Sequence, residues 1–322
     1  MTDSPPVLVI TSLGDVTADL VLNELYGRGV PAVRLDPAAD FPGPARVSAR
    51  IGGAGLTGEL TTATRHLDLS AVRSVYWRRP TPYADPRQAE TPGQRFAVEQ
   101  SRVGYTGILT ALPGALHVND PLRNRAADHK PAQLTTAARL GLAVPETLIT
   151  NVPEDARKFV ADQGRVIYKP VRGVHLRGED GRNRTIWTSL VQADEIDDSV
   201  ALCPHLFQVC VPKTADIRLA AVGNRMFASR IDTDGDHVDW RYDQGLITCS
   251  PIPVPRTIRD AVQSYLHAFG LLFGAFDFAL DGDGRWWFLE CNPNGQWAFV
   301  DDPTTQAIAS ALADTLLKGS TT

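Results

Sequence analysis

Two strongly apolar segments, "GAFDFAL" (274–280) and "RWWFLECN" (285–292), flank the turn Asp281-Gly-Asp-Gly284, and acids stand inside both of them. Such a pattern reads as an antiparallel hairpin. A four-residue loop over 281–284 sets Asp277 opposite Phe288 and Glu290 opposite Ala275, and any even loop length keeps that parity. Side chains alternate faces along a strand, so Asp277, Glu290 and Asn292 share one face. Phe276, Phe278, Leu280, Trp287, Leu289 and Cys291 take the other, the core face. Asp277 and Glu290 are then diagonal neighbours, ~7–8 Å apart at the backbone. Trp286 and Phe288 fall on the same face as the acids, which predicts that this face is covered. Buried carboxylates are expensive unless paired or metal-bound. Two carboxylates and an amide oxygen are hard donors, suited to Mg²⁺, which takes one or two protein carboxylates and fills its shell with water and phosphate oxygens. The competing reading is a polar coat on a solvated sheet face.

Phosphate chemistry needs cations. No GxxxxGK[ST] occurs in the chain, so a P-loop is excluded. Lys169 stands inside the apolar strand "VIYKP", where an unpaired lysine is not expected, and so should face a cleft with an anionic partner. Lys130 opens a helix and would be unremarkable as a surface lysine. "DIRLAAVG" places Asp216 and Arg218 on one strand face, and Arg230 returns in "FASRID". A two-residue hairpin at Gly223-Asn224 sets Arg218 against Ser229 and sends Arg230 to the opposite face, whereas a bulge would bring both arginines together. Asp239 and Arg241 bracket a tryptophan in "VDWR". Arginine forks clamp a phosphoryl group or a carboxylate; ordinary surface salt bridges are their alternative.

Around these residues the 322-residue chain is roughly two domains long. It begins with a βαβ unit: strand "VLVITS" (7–12), a helix from Val16 to about Tyr26, and strand "AVRLD" (32–36). A hairpin over 46–62, a strand at 74–80, a helix over about 88–112 and a strand at 117–121 complete this region. Gly53-Ala-Gly55-Leu-Thr-Gly58 matches the dinucleotide fingerprint GxGxxG. A β-branched segment follows it in place of a helix, so it reads as a hairpin turn. Helices at 130–142 and 153–163, a strand at 165–171, a loop over 172–184 and a strand at 185–191 form a second region. Later come strand 206–211, the Gly223-Asn224 hairpin, and helices at 256–272 and 304–318. The four cysteines form no CxxC and read as buried free thiols in a reducing compartment. A net charge of −5 gives no general case for nucleic acid, and no stretch reaches the ~18 apolar residues of a membrane span. A cytoplasmic protein is expected.

The order Lys130, Lys169, "FQVCVPKTADIR", Asp277 and "LECNPNG" resembles the ATP-grasp ligases over nearly the whole chain. "YWRRP", "DWR" and "NPNGQW" resemble their graspetide synthetase branch, which includes the microviridin ligases. The resemblance implies a mixed α/β and α+β chain: an N-terminal βαβ-type pre-ATP-grasp domain (1–122), then a central lobe (123–205) and a C-terminal lobe (206–322) enclosing ATP. It implies Lys130 and Lys169 on the phosphates, and a hinge of Gln208, Val209 and Val211 on adenine. Val209 stands where many such hinges carry an acid, leaving ribose or adenine contacts to Lys213 and Asp216. Asp277, Glu290 and Asn292 would bind Mg²⁺, Arg218 and Arg230 would stabilise the transferred phosphate, and Asp239 and Arg241 would meet the acceptor or core peptide. The implied partner is a ribosomally made precursor peptide, leader plus core, and the family favours a homodimer. An ATP-grasp ligase acting on a free amino acid would share the whole ATP site. A nucleotide-binding module without turnover would need neither the metal trio nor the lysine pair.

Overall fold

The computed structural model describes all residues except 1–3, 54, 82, 84–89, 174, 178–182, 236–237, 243 and 320–322. The chain opens with β1 (Val7–Ile10), α1 (Val16–Gly27), β2 (Ala32–Leu35) and the short α2 (Pro37–Asp40). There follow β3 (Arg46–Gly52), β4 (Gly55–Thr61), β5 (His66–Asp68), β6 (Ser74–Trp77), α3 (Pro92–Thr110) and β7 (Leu116–Val118). Positions 88 and 89 of the expected helix lie outside the described residues. The parallel sheet has the order β2-β1-β6-β7. Its central strand is apolar throughout because both faces are covered. Val7 and Val9 pack with α1 and the C-terminal helix, and Leu8 and Ile10 join a core with Leu109 and Leu112. The GxGxxG segment lies in the β3–β4 hairpin. A Cβ at Gly58 would sit 2.0 Å from the Ser48 carbonyl, so this glycine serves strand packing.

The remainder runs α4 (Pro121–Ala127), α5 (Lys130–Arg139), β8 (Thr147–Thr150), α6 (Pro153–Gln163), β9 (Val166–Lys169), β10 (His175–Arg177), β11 (Asn183–Thr185), β12 (Ser189–Val191) and β13 (His205–Val209). The loop expected over 172–184 contains the β10–β11 pairing, and its positions 174 and 178–182 lie outside the described residues. After these come β14 (Lys213–Val222), β15 (Arg225–Thr233), β16 (Ile247–Pro251), α7 (Arg256–Phe269), β17 (Phe273–Asp281), β18 (Trp286–Asn292) and α8 (Asp302–Leu317). The central sheet is β12-β9-β13-β8 and the C-terminal sheet is β16-β15-β14-β17-β18. Thus β13, which an expected boundary at 205/206 would split from the central lobe, pairs with β8 and β9. Likewise α5, expected in the central lobe, packs its Leu134 and Ala137 into the core of the C-terminal sheet.

That C-terminal sheet positions the site. One face is apolar along its length: Ile217, Leu219, Phe276, Phe278 and Phe288 pack with Tyr265 and Leu266 of α7. The opposite face changes character midway. Ala220, Val222, Phe273 and Ala275 are covered by α8 and Trp297, and the same alternation then presents Asp216, Arg218 and Asp277. Apolar residues lie under the N-terminal domain, and the charged ones lie at the cleft toward the central sheet. Among the described residues no helix is long and apolar enough to cross a membrane.

Candidate active site

The β17–β18 pairing departs from the expected register. Leu280 pairs with Trp286 and Phe278 with Phe288, but a bulge between Asp277 and Phe278 sets Asp277 directly opposite Glu290, and Ala275 opposite Asn292. Five residues, 281–285, separate the first pair where four were expected, so the parity flips at the turn and the extra residue on β18 flips it back. Trp286 and Phe288, expected beside the acids, enter the apolar core with Phe276 and Phe278, while Asp277, Glu290 and Asn292 still share the cleft face. The two acids are direct cross-strand neighbours, ~5 Å apart at the backbone, closer than the diagonal placement expected from sequence. Bulges recur beside active sites because they re-aim a side chain.

Each carboxylate has cationic partners. Arg218 Nη1 donates to Asp277 Oδ1 at 2.8 Å, and Lys130 Nζ donates to Glu290. Arg241 Nη1 lies 3.3 Å from the second Glu290 oxygen. The Lys130 ammonium, aided by Arg241 and Lys169, holds Glu290 far below the usual carboxylate range despite its burial. Burial pushes Asp277 upward, with Arg218 opposing and Glu290 reinforcing the shift. Among the described residues no group of three His, Cys, Asp or Glu surrounds a metal position. Two carboxylates and the Asn292 amide oxygen nevertheless fit magnesium, which needs no more protein charge than that. The Asn292 Oδ1 accepts from the Asn294 N–H at 2.9 Å, which fixes the amide's orientation.

Lys169, Gln208, Val209, Val211, Lys213, Asp216, Asp239, Arg241, Asp277 and Glu290 all line one cavity between the two sheets. Lys169 is buried and donates to Gln208 Oε1 at 2.8 Å, so its immediate partner is an amide and not the anion expected. Burial, with repulsion from Lys130, lowers its pKa to about 8. Gln208 in turn donates to Thr147 Oγ1 at 2.8 Å, so its side chain is committed to the lobe. The Val209 and Cys210 N–H groups donate to Glu146 O and Arg165 O, each at 2.9 Å. Lys213 bonds Asp216 and donates to the Val238 carbonyl at 2.7 Å. Burial raises the Asp216 carboxyl to about 6, against the attraction of Lys213. Arg241 grips Asp239 through Nε at 2.8 Å and Nη2 at 2.9 Å. Burial alone would lower the Arg241 guanidinium, but Asp239 and Glu290 raise it.

A second cavity of about 470 Å³ adjoins the first and is lined by Arg79, Arg218, Trp240, Arg241, Asn292 and Phe299 among others, with Asp277 and Glu290 shared between the two. Arg218 stands 5.7 Å from the Phe299 ring centre, and Trp240 stacks on Phe299 at 5.1 Å. Arg230 is not part of this arrangement. The β14–β15 ladder is regular, setting Arg218 against Ser229 and Arg230 against Ile217, on the other face. Arg230 binds Asp232 and the Thr214 carbonyl instead. The cysteines are free, but only Cys210 and Cys291 are buried; Cys203 is exposed and Cys249 intermediate, contrary to the uniform burial expected.

Four residues absent from the expected set support the site. Arg78, 1% exposed, donates to Asn294 O, Gly295 O and Gln296 Oε1. Asn119 donates to Phe273 O and Pro293 O and accepts from the Leu272 and Phe273 N–H groups. Gln133 bonds both the N–H and the carbonyl of Cys291. Gln296 accepts from Arg218 through its carbonyl. The available signal was polar residues in apolar settings, "YWRRP" and "HVND", but their partners are over 100 positions distant.

Residues 6–125 match the family model described as the MvdD pre-ATP grasp domain. No curated protein is significantly similar in sequence. Similar solved structures cover nearly the whole chain. One is a Chryseobacterium gregarium RiPP-associated ATP-grasp ligase in complex with ADP and a leader and core peptide: 24% identity, 97% of this chain and 96% of that one, TM-score 0.89. Another is the macrocyclase MdnC of Microcystis aeruginosa MRC, bound with precursor peptide MdnA: 27% identity, 97% and 99% coverage, TM-score 0.84. The macrocyclase MdnB of the same organism has 28% identity, 98% and 99% coverage, and a TM-score of 0.80. The expected architecture, a pre-ATP-grasp domain followed by ATP-grasp lobes, is therefore the one this chain adopts.

Proposed function

We infer that this chain, an ATP-dependent ligase of the ATP-grasp fold whose domain match and structural likenesses support a graspetide synthetase, closes rings in a ribosomally made precursor peptide. The observation that carries the reading is the meeting of two cavities at Asp277 and Glu290. The first has a hinge and a buried lysine, as a nucleotide requires; the second has arginines and stacked aromatics, as a peptide carboxylate requires. In this reading adenine meets the hinge at Gln208–Val211. With the Val209 and Cys210 N–H groups already bonded, the Val211 N–H is, among the described residues, the hinge donor left for adenine. Lys213 and Asp216 face the sugar, and Lys169 and Lys130 face the phosphates.

Asp277, Glu290 and Asn292 would hold magnesium, which when bound neutralises phosphate charge. A precursor Asp or Glu carboxylate oxygen attacks the γ-phosphorus, the bond to the β–γ bridging oxygen breaks, and ADP leaves with that electron pair. A Thr or Ser hydroxyl, or a Lys amine, then attacks the acyl-phosphate carbonyl. The C–O bond to phosphate breaks, the nucleophile loses its proton, and an ester or amide closes with net loss of one water. Arg218 stabilises the transferred phosphoryl group and Arg241, lining both cavities, orients it; Asp239 holds Arg241 in place. Such transfers proceed largely by positioning and charge stabilisation, with no enzyme nucleophile needed. Arg230 has no place in this scheme. A cytoplasmic homodimer acting on leader-bearing peptide completes the proposal.

The test is intact mass and ADP release after incubation with MgATP and the short Thr- and Glu-rich peptide encoded beside the gene. Loss of one water (18 Da) per ring, with stoichiometric ADP, is expected. An unmodified peptide with ADP release driven by free amino acids would replace the macrocyclase reading with the amino-acid ligase.

A further inference from the structure

The loop that follows Asn292 belongs to the C-terminal lobe, yet it is held mostly from elsewhere. Arg78, at the end of the N-terminal sheet, reaches Asn294 O, Gly295 O and Gln296 Oε1 with its two Nη groups. Thr17 accepts from Gln296 Nε2, Asn124 Nδ2 donates to Asn294 Oδ1 at 3.1 Å, and Asn119 Nδ2 donates to Pro293 O at 3.1 Å. Burying a guanidinium costs several kcal/mol unless it is well paired. Among the described residues its one carboxylate partner, Asp15, is 3.7 Å from Arg78 Nε, and Nε makes no hydrogen bond. The charge is therefore spent chiefly on the oxygens of one short loop.

That loop has two outputs. The Asn294 N–H fixes Asn292 Oδ1, and the Gln296 carbonyl accepts from Arg218 Nε at 3.1 Å and from its Nη2. Gly295 lets the backbone run this close: a Cβ there would lie 2.7 Å from Arg218 Nη2 and 2.4 Å from the Ala275 Cβ. We propose that Arg78 is a positioning residue. Through the 294–296 backbone it sets the Asn292 amide oxygen toward the metal and the Arg218 guanidinium toward the phosphoryl group. The inference rests on the nucleotide and metal reading above, but not on the identity of the peptide.

The deciding experiment is calorimetric ADP binding to the full chain, with magnesium titrated from EDTA upward, on Arg78→Lys, Arg78→Met and Gln296→Leu, alongside thermal unfolding. Arg78→Lys keeps charge but not three simultaneous bonds. For folded variants, ADP affinity in EDTA should stay within about twofold, because Arg78 does not line the cavity of the hinge and Lys169. The magnesium concentration for half-maximal enhancement should rise about tenfold in the Arg78 variants and less in Gln296→Leu. Peptide-dependent turnover should lose kcat at unchanged KM for ATP. A lowered melting temperature with unchanged magnesium dependence would reduce Arg78 to a scaffold residue and overturn the proposal. Should neither Arg78 variant fold, Gln296→Leu decides on the same criterion. If the wild type binds ADP without any magnesium effect, the metal reading fails and this proposal falls with it.

Discussion

At the residue scale the site is a set of charges whose neighbours set their protonation. Lys169 shows this most directly, since burial and Lys130 bring it to about 8 while an ordinary lysine titrates near 10.5. ADP affinity should hold below pH 8 and fall above it, approaching tenfold per pH unit as the ammonium is lost, and Lys169→Met should abolish that limb. Folding responds oppositely. Between about 8 and 10.5 the unfolded chain binds the proton that the native lysine has released, so this group's contribution to stability rises with pH there. Urea unfolding of wild type against Lys169→Met across that window measures the sign. Glu290→Gln keeps shape but removes the charge that pairs Lys130 and Arg241. Peptide-dependent ADP release should fall by at least about 100-fold. Retention of most activity would remove Glu290 from the metal site.

At the element scale the β17–β18 hairpin decides which side chains meet. Its strands and the face of Asp277, Glu290 and Asn292 follow from alternation. The five-residue turn and the bulge do not: together they exchange Trp286 and Phe288 to the core while leaving the acids in the cleft. Nothing in "RWWFLECN" marks the extra residue, because every position from Trp286 to Leu289 is apolar and suits either face. The β14–β15 hairpin is the opposite case. A two-residue turn at Gly223-Asn224 keeps the ladder regular, so Arg218 and Arg230 diverge as the simplest pairing requires. Gly295→Ala tests the loop after β18. It should cost about 1–3 kcal/mol through overpacking and lower turnover about tenfold. Gly282→Ala, with open space around its Cβ, should do neither.

At the scale of the whole molecule, the N-terminal domain is part of the candidate site's support. Asn119 closes the junction with four bonds to the start of β17 and to Pro293 while only 1% exposed. Asn119→Ala strands buried backbone groups and should destabilise the chain by about 3 kcal/mol or more. Differential scanning calorimetry should show a lowered transition, and an unshifted one would mean that the junction is rebuilt by water. Trp297, fully buried between α1, α8 and the C-terminal sheet, plugs the same seam. Its truncation to Ala should cost about 3–5 kcal/mol.

What the sequence alone determined is local in origin. Periodicity set the strands and helices, glycine chemistry identified the hairpin that mimics a dinucleotide fingerprint, and an acid or lysine inside an apolar strand marked Asp277, Glu290 and Lys169, because unpaired charge is not buried without cause. What only the tertiary structure decided are the relations between distant segments. The fold takes α5 into the C-terminal core and so brings Lys130 onto Glu290, leaves Arg230 outside, and ties Arg78 and Asn119 to a loop some 170–220 positions away. Periodicity reports which face a residue takes within its own element. It carries no information about which other element will cover that face, and that contact is what turns a set of charged side chains into a site.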